Sequence, residues 1–312
     1  MKNSALDPVV LWSLAGVYAL LGLASVIQWL LIRHHPGKDH SELAQRIHSW
    51  WVMVSVFTAA MLLSPMVSLI FFGFVSFLAL KEYLSIIPTR RADRRVLFWA
   101  YLAIPVQYYW IAIGWYGMFI IFIPVYMFLF LPMRMIIIGE TKSFLRAVGT
   151  LHWGLMTTVF SISHVAFLLI LPDTDDGSAG GAGMVLYLIF LTQINDVAQY
   201  VWGKALGRHK VVPRVSPNKT WEGFPGGVAT TTLLAMLLAP SLTPFDWPLA
   251  LAAGLIIGIG GFVGDVTLSA LKRDIGVKDS GSLLPGHGGI LDRIDSLTYT
   301  APLFFHFVRY ST

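Results

Sequence analysis

The chain has 312 residues, of which 56% are hydrophobic and only 12% are charged. Soluble domains carry roughly 25% charged residues, so this composition excludes a water-soluble globular protein of this length. The absence of cysteine also excludes a disulfide framework, thiol chemistry and a thiolate zinc site. The economical interpretation is an all-α, polytopic integral membrane protein.

Ten apolar stretches follow one another along the chain, and each is long enough, or nearly so, to cross a bilayer. They cover residues 9–32, 48–64, 66–87, 96–113, 117–133, 151–171, 183–203, 226–240, 249–265 and 296–309. The second, eighth and tenth stretches are short, so nine transmembrane helices are an alternative to ten. The first stretch is long for a signal-peptide core and lacks a clear cleavage site, and we interpret it as a retained transmembrane helix.

The Lys and Arg residues lie almost entirely on one side of this arrangement. Of the 22 Lys and Arg residues, only Lys2 and Arg309 fall in the opposite set of loops, which includes an acidic turn at residues 173–176. The positive-inside rule therefore predicts that the basic loops are cytoplasmic and that both termini face out. Because the cations lie at membrane boundaries, the net charge of +5 does not indicate nucleic-acid binding.

Polar residues interrupt the seventh apolar stretch. Asn195, Asp196 and Gln199 share roughly one face of a helix by their i, i+3 and i+4 spacing. A carboxylate inside a membrane span is costly and usually serves a function. The alternative is a set of buried hydrogen bonds between helices.

A second polar group is the segment Ser216-Pro217-Asn218-Lys219-Thr220. Its Ser-Pro-Asn sequence predicts a turn. A turn with hydroxyl groups, free N–H groups and a lysine can hold a phosphate or a polar base. A helix N-cap formed by Ser216 or Thr220 is an adequate alternative.

The third group is the charged stretch 269–295, with Asp265 just before it. Its charged residues are Lys272, Arg273, Lys278 and Arg293 together with Asp274, Asp279, Asp292 and Asp295. Asp265 and Asp292 can jointly bind Mg²⁺, which takes one or two carboxylates and completes its shell with phosphate oxygens and water. The four cations can neutralise phosphate charge. A salt-bridged loop at the membrane surface is the alternative.

A Pro-Gly-His-Gly-Gly turn lies inside this stretch. Gly286, Gly288 and Gly289 are expected to let backbone N–H groups approach a phosphate closely. His287 can donate to a phosphate, orient a carboxylate or cap a turn. A role for it as general base is the least favoured, since a phosphate nucleophile is already ionised at neutral pH.

These motifs together resemble one enzyme family. The stretch resembles the signature of the CTP:phosphatidate cytidylyltransferases (CDP-diacylglycerol synthases) at Ser269-x-Leu271-Lys272-Arg273-x4-Lys278-Asp279-x-Gly281-x2-Leu284-Pro285-x-His287-Gly288-Gly289-Ile290-x-Asp292-Arg293-Ile294-Asp295. Residues 216–223 resemble the second motif of that family. The resemblance extends from about residue 193 to the C-terminus, whereas residues before it share only hydropathy. We therefore expect a platform of transmembrane helices at 1–150 and a catalytic region at 151–312, within one continuous membrane domain.

The resemblance implies a reaction and roles for single residues. Phosphatidate and CTP would give CDP-diacylglycerol and pyrophosphate, in a bacterial inner membrane with the active site facing the cytoplasm. Asp265 and Asp292 would be the ligands of a Mg²⁺ site, with K⁺ as an optional companion, and Lys219, Lys272, Arg273 and Arg293 would contact phosphate. The substrate-binding set would comprise Ser216, Pro217, Asn218, Thr220, Lys278, His287, Gly288, Gly289, Arg293 and Asp196. A homodimer stays open.

The chain departs from the family pattern at two places. The family usually has Ser-Asp-Thr-x-Ala-Tyr where this chain has residues 195–200, and Gly-Asp-x-x-Glu-Ser where this chain has Leu268 in place of the Glu. A divergent paralogue acting on another lipid phosphate is therefore one alternative. A CTP-dependent lipid kinase and a transporter or scaffold are the others.

Overall fold

The computed structural model describes residues 7–35, 39–90, 93–171 and 179–311. Lys2 and the acidic turn at 173–176 lie outside the described residues. The long helices are α1 (Pro8–His34), α2 (Ser41–Leu63), α3 (Pro65–Ile86), α4 (Arg94–Ala112), α5 (Tyr116–Ile138), α6 (Phe144–Leu168), α7 (Gly180–Leu206), α8 (Gly223–Leu242), α9 (Trp247–Asp274) and α11 (Leu297–Ser311). A short helix, α10 (Leu291–Ile294), and two strands, β1 (Lys210–Val212) and β2 (Ser216–Thr220), complete the described elements.

Each of the ten predicted apolar stretches forms a helix. Within the described residues, eight of these helices are long and apolar enough to cross a membrane, and α4 and α11 are the two that are not among them. The prediction of an all-α polytopic membrane protein is therefore confirmed. The second and eighth stretches are longer than the hydropathy pattern indicates, because α2 has 23 residues and α8 has 20. The last helix, α11, remains short at 15 residues.

Glycines allow the last helices of the bundle to pack closely. A Cβ atom on Gly254 of α9 would lie 2.6 Å from the Cα of Thr232 in α8. A Cβ atom on Gly264 of α9 would lie 2.6 Å from the backbone oxygen of Asp295, just before α11. Small residues let helix backbones approach in this way, where larger side chains would hold them apart. The close approach brings the polar residues of α7, α9 and the α10–α11 junction to one place.

Asn195 joins three helices of this group by hydrogen bonds. Its Nδ2 donates to the backbone oxygen of Gly258 in α9 at 3.1 Å, and its Oδ1 accepts from Thr231 Oγ1 in α8 at 3.1 Å. The side chain is fully buried. For Asn195, the structure thus selects buried hydrogen bonding between helices from the two alternatives.

The segment between α7 and α8 is a β-hairpin. Strand β1 pairs antiparallel with β2, with Val212 opposite Ser216. The predicted turn at Ser216-Pro217-Asn218 is wrong, because these residues belong to β2. The chain reverses direction before these residues, in a turn at 212–215 where the N–H of Val215 donates to the Val212 oxygen at 3.0 Å. Pro213 occupies the second position of that turn, which its fixed φ favours, and Pro217 is tolerated on a strand of a two-stranded sheet.

The glycine packing gives a prediction about stability. Gly254→Val places a branched side chain against the α8 backbone, and we expect a loss of about 1–3 kcal/mol in the free energy of unfolding from overpacking. The matched control is Gly16→Val in α1, where a Cβ meets nothing within 4 Å. Thermal unfolding in detergent should show a lower midpoint for Gly254→Val only. Equal midpoints for the two variants would contradict the close contact.

Candidate active site

Lys219 is the central cation of the site. It lies on β2, and its Nζ is 2.6 Å from Asp265 Oδ2 in α9 and 3.8 Å from Asp196 Oδ1 in α7. It also donates to Gln199 Oε1 at 2.9 Å. Burial alone would lower the pKa of Lys219, but the charges of Asp265 and Asp196 raise it above its ordinary value. Lys219 therefore stays protonated and joins the hairpin to two transmembrane helices.

The two aspartates beside Lys219 have further partners. Asp196 Oδ2 accepts from Ser296 Oγ at 2.9 Å, and Asp265 Oδ1 accepts from Ser269 Oγ at 3.2 Å. Asp196 Oδ1 is buried and has no hydrogen-bond partner. This oxygen has the ion pair with Lys219 Nζ at 3.8 Å but no hydrogen bond, so a ligand or an ion that reached it would satisfy it. This placement favours the functional interpretation of Asp196 over a purely structural hydrogen bond between helices.

Asp295 adds a third carboxylate to this group. It lies between α10 and α11, and its Oδ1 accepts from the N–H of Ser296 at 2.8 Å. Burial raises the pKa of Asp295 well above its ordinary value, and the nearby charges of Asp265 and Asp196 raise it further. Asp295 thus adds a third carboxyl group near Lys219, whose pKa its charge helps to raise. A proton on Asp295 or a bound cation would neutralise the excess of negative charge.

A second ion pair lies next to this group. Lys272 Nζ is 2.7 Å from Asp292 Oδ1, and both side chains are largely buried. Asp292 Oδ2 accepts from the N–H of Ser280 at 2.8 Å, from Ser280 Oγ at 2.9 Å and from the N–H of Gly289 at 2.9 Å. Burial alone would raise the pKa of Asp292, but Lys272 and these N–H groups together hold it below its ordinary value. Asp292 is therefore an ionised carboxylate that organises the loop around it.

We use the name signature loop for residues 279–291. Gly288 has φ +79°, which favours glycine, and a Cβ atom there would lie 2.6 Å from Asp292 Oδ2. The N–H of Gly289 donates to Asp292. From the sequence we expected these glycines to bind phosphate. The structure shows instead that Gly288 leaves room for the Asp292 carboxylate and that Gly289 donates a hydrogen bond to it.

Helix α2 also contacts the signature loop. Ser49 Oγ donates to the backbone oxygen of Pro285 at 2.7 Å. The ring of Trp50 packs edge-on against His287, with 5.9 Å between ring centroids. His287 is buried and its Nδ1 has no hydrogen-bond partner. Burial, with the nearby charges of Arg293 and Arg46, lowers the pKa of His287, so a neutral imidazole is favoured at neutral pH.

The remaining predicted cations surround the site at different depths. Arg273 donates from Nε to the backbone oxygen of Val215 at 3.2 Å and from Nη1 to that of Val277 at 3.3 Å, so it connects α9 to the hairpin. Arg293 is half-buried, and its Nε is a buried donor without a partner. Lys278 is exposed. Arg293 is thus the cation of these three with a donor free for a ligand inside the site.

The hairpin residues on either side of Lys219 differ in exposure. Pro217 and Asn218 are exposed and Ser216 is half-buried. Thr220 is buried, and its Oγ1 accepts from the N–H of Gly223 at 3.0 Å at the start of α8. Thr220 therefore bonds to the first turn of α8, but the N-cap residue of this helix is Glu222, so neither Ser216 nor Thr220 is the N-cap.

Sequence reasoning missed Glu82 altogether. This residue of α3 accepts from the N–H of Ile290 and the N–H of Leu291, each at 2.9 Å. Glu82 and Ile290 are 208 residues apart in the chain. The one local signal was a carboxylate near the end of an apolar span, and it named no partner. Ser280 and Asp295 lay within the recognised stretch but were not assigned to the site.

The residues fit a magnesium site in part. The donors are carboxylates, the ligand type that Mg²⁺ prefers, and Asp196 offers an oxygen that accepts no hydrogen bond. No group of three or more His, Asp or Glu residues that could hold a metal occurs among the described residues. One or two carboxylates with substrate phosphate would be enough for Mg²⁺. Both oxygens of Asp292 accept hydrogen bonds, and Asp265 likewise has Ser269 on Oδ1 and Lys219 on Oδ2, so each of the two predicted ligands already has a partner on both oxygens.

The fold and the site define a polytopic membrane protein with a partly buried site of carboxylates and cations. The sequence profile of the Cytidylyltransferase family matches residues 44–311, which is most of the chain. The chain therefore belongs to the Cytidylyltransferase family, and the resemblance stated from its motifs is confirmed. Membership implies CTP as a substrate and nucleotidyl transfer as the class of reaction.

Relatives differ in how much of the chain they match. The uncharacterized protein YnbB of Escherichia coli strain K12 is 48% identical over 298 residues, which are 96% of this chain and 98% of that protein. A phosphatidate cytidylyltransferase of Staphylococcus aureus is 39% identical over 155 residues, which are 49% of this chain and 59% of that enzyme. Phosphatidate cytidylyltransferase 5, chloroplastic, of Arabidopsis thaliana is 44% identical over 133 residues, which are 41% of this chain and 32% of that enzyme.

The ion pair of Lys272 with Asp292 gives a second prediction. Asp292→Asn leaves Lys272 buried without its counter-charge, and we expect a loss of about 3–5 kcal/mol in the free energy of unfolding. Glu42→Gln breaks the exposed pair with Arg46 and should cost at most about 0.5 kcal/mol. Urea unfolding in detergent micelles measures both. A loss for Asp292→Asn as small as that of the control would show that the buried pair does not stabilise the loop.

Proposed function

We propose that the chain is a membrane phosphatidate cytidylyltransferase, which makes CDP-diacylglycerol from CTP and phosphatidate. The observation that carries the proposal is the placement of Lys219 between Asp265 and Asp196, beside the Lys272–Asp292 pair. All five residues belong to the motifs that resemble the family. The partial matches to two phosphatidate cytidylyltransferases support the same substrate.

The reaction exchanges one phosphoanhydride bond for another. An oxygen of the phosphatidate phosphate attacks the α-phosphorus of CTP and forms a new P–O–P bond. The bond from the α-phosphorus to the oxygen that bridges to the β-phosphorus breaks, and pyrophosphate leaves with that electron pair. The nucleophile is already ionised at neutral pH, so no side chain has to remove a proton. Positioning and neutralisation of charge carry most of the catalysis.

The cations of the site have distinct tasks in this proposal. Lys219 and Arg293 contact the phosphates where the bond is made, and Lys272 and Arg273 hold the departing pyrophosphate. Lys278 attracts CTP at the exposed edge of the site. Asp265 would hold Mg²⁺, with Asp292 as the second predicted ligand and Asp196 as a further carboxylate in reach. When bound, Mg²⁺ supplies charge neutralisation at phosphate oxygens.

The membrane setting follows from the same arrangement. The site lies at the ends of the helices that the basic loops connect, so we place it at the cytoplasmic face of a bacterial plasma membrane. CTP then enters from water and the lipid enters sideways from the inner leaflet. Leu268, where the family usually has Glu, is 1% exposed in the apolar core. The chain therefore has a buried apolar side chain where the family usually has a carboxylate. A different lipid phosphate is the alternative substrate to test alongside phosphatidate.

Labelled CTP tests the reaction directly. Purified protein with Mg²⁺ and phosphatidate should transfer the label of [α-³²P]CTP to lipid and release pyrophosphate in equal amount. Transfer of label from [γ-³²P]CTP would instead identify a lipid kinase. If phosphatidate and other lipid phosphates all remain unlabelled, the proposed function is wrong.

Substitution of Asp265 tests the site. Asp265→Asn removes one of the two charges that face Lys219 and one of the two predicted metal ligands, and we expect CDP-lipid formation to fall by at least about 10²-fold. Asp274→Asn, an exposed carboxylate at the end of the same helix, is the matched control and should keep activity within about twofold of wild type. Activity of Asp265→Asn near that of the control would remove Asp265 from the mechanism.

A further inference from the structure

Glu82 is held by the signature loop from three directions. Its Oε1 accepts from the N–H of Ile290 at 2.9 Å, and its Oε2 accepts from the N–H of Leu291 at 2.9 Å. Ser280 Oγ lies 3.2 Å from the same Oε2. Hydrogen bonds to a carboxylate are shorter and stronger than those between neutral groups. Both oxygens of a single side chain thus fix the beginning of α10.

The loop is built to admit this carboxylate. A Cβ atom on Gly289 would lie 2.3 Å from Glu82 Oε2, and one on Gly281 would lie 3.0 Å from Oε1. A Cβ contact of 3.0 Å or less is so tight that one partner would have to shift. The two glycines therefore keep open the space that Glu82 occupies, and the loop and α3 are complementary in shape as well as in charge.

The residues that follow the contact belong to the proposed site. Leu291 is the first residue of α10, which carries Asp292 and Arg293, and Asp295 comes directly after this helix. Ser280 donates from N and Oγ to Asp292 and also lies against Glu82. A shift of α10 would therefore move two carboxylates and a cation at once. A displacement of about 1 Å at such groups can lower the rate about 10²-fold.

We propose that Glu82 is a positioning residue, which acts from α3 through the signature loop to fix Asp292, Arg293 and Asp295 for the transfer reaction. The effect on the rate rests on the proposed function, whereas the effect on the loop does not. Glu82 contacts no reacting atom in this proposal. It makes the N-terminal half of the chain a working part of the site.

Hydrogen exchange measures the positioning without any need for activity. In Glu82→Gln, one oxygen is replaced by an NH₂ group, which cannot accept from the backbone N–H opposite it. Whichever of the amides 290 and 291 loses its acceptor is expected to exchange at least about tenfold faster than in wild type, which corresponds to the loss of one charge-assisted hydrogen bond. Amides in the middle of α7 should not change. Unchanged exchange at 290 and 291 would overturn the proposal, whether or not the protein is active.

Kinetics then separate positioning from general damage. We expect kcat of Glu82→Gln to fall about 10²-fold, with KM for CTP within about threefold of wild type. Glu82→Asp keeps the charge but is one methylene shorter, so it should not restore kcat. Full rescue by Asp would show that charge alone matters and would overturn the role in positioning. Glu42→Gln is the control for loss of an acidic side chain at an exposed position.

A second variant covers the case in which Glu82→Gln does not fold. Gly289→Ala places a methyl group on Glu82 Oε2 from the opposite side and should give the same faster exchange at 290 and 291. Slow exchange in a folded Gly289→Ala protein would contradict the contact. If wild type forms no CDP-lipid, the proposed function fails while the exchange result still decides the role of Glu82 in the loop.

Discussion

Neutralising carboxylates in a largely apolar protein is the constraint on which the structure depends. Asp196, Asp265, Asp292 and Glu82 all lie on or beside transmembrane helices, where an unpaired charge is expensive. Each carboxylate has a specific partner. Lys219 pairs with Asp196 and Asp265, Lys272 pairs with Asp292, and backbone N–H groups donate to Glu82. The hairpin, the end of α9 and the signature loop lie where they do because these groups must meet.

Close helix packing makes these pairings possible. The glycines of α8 and α9 reduce the distance between backbones, and Asn195 fixes three helices relative to one another. Short side chains on different helices can then come within hydrogen-bond distance of one another. A preorganised set of charges of this kind is what electrostatic catalysis requires, since the groups need not reorganise as the reaction proceeds.

The sequence predicts the helices well and the site in part. Ten apolar stretches became ten helices, because hydropathy over a membrane thickness is a strong local signal. The motifs located Lys219, Asp265 and Asp292. The hairpin turn was predicted at the wrong residues, because both Pro213 and Pro217 are typical of turns and only the pairing of the strands shows which of them lies in the turn. Glu82 was out of reach of such reasoning. Its partners are 198 to 209 residues away, and no spacing along the chain indicates a contact that only folding creates.

The contact of Glu82 also bears on how the protein is made. Ribosomes synthesise α3 long before the signature loop, so Glu82 enters the membrane region without its partners. It lies about one turn from the end of α3, on the side where the basic loops lie, and its carboxylate can remain hydrated at the surface while synthesis continues. The loop then closes on a group already in place. Assembly of the site is thus a late event in biogenesis, completed only when nearly the whole chain has been inserted.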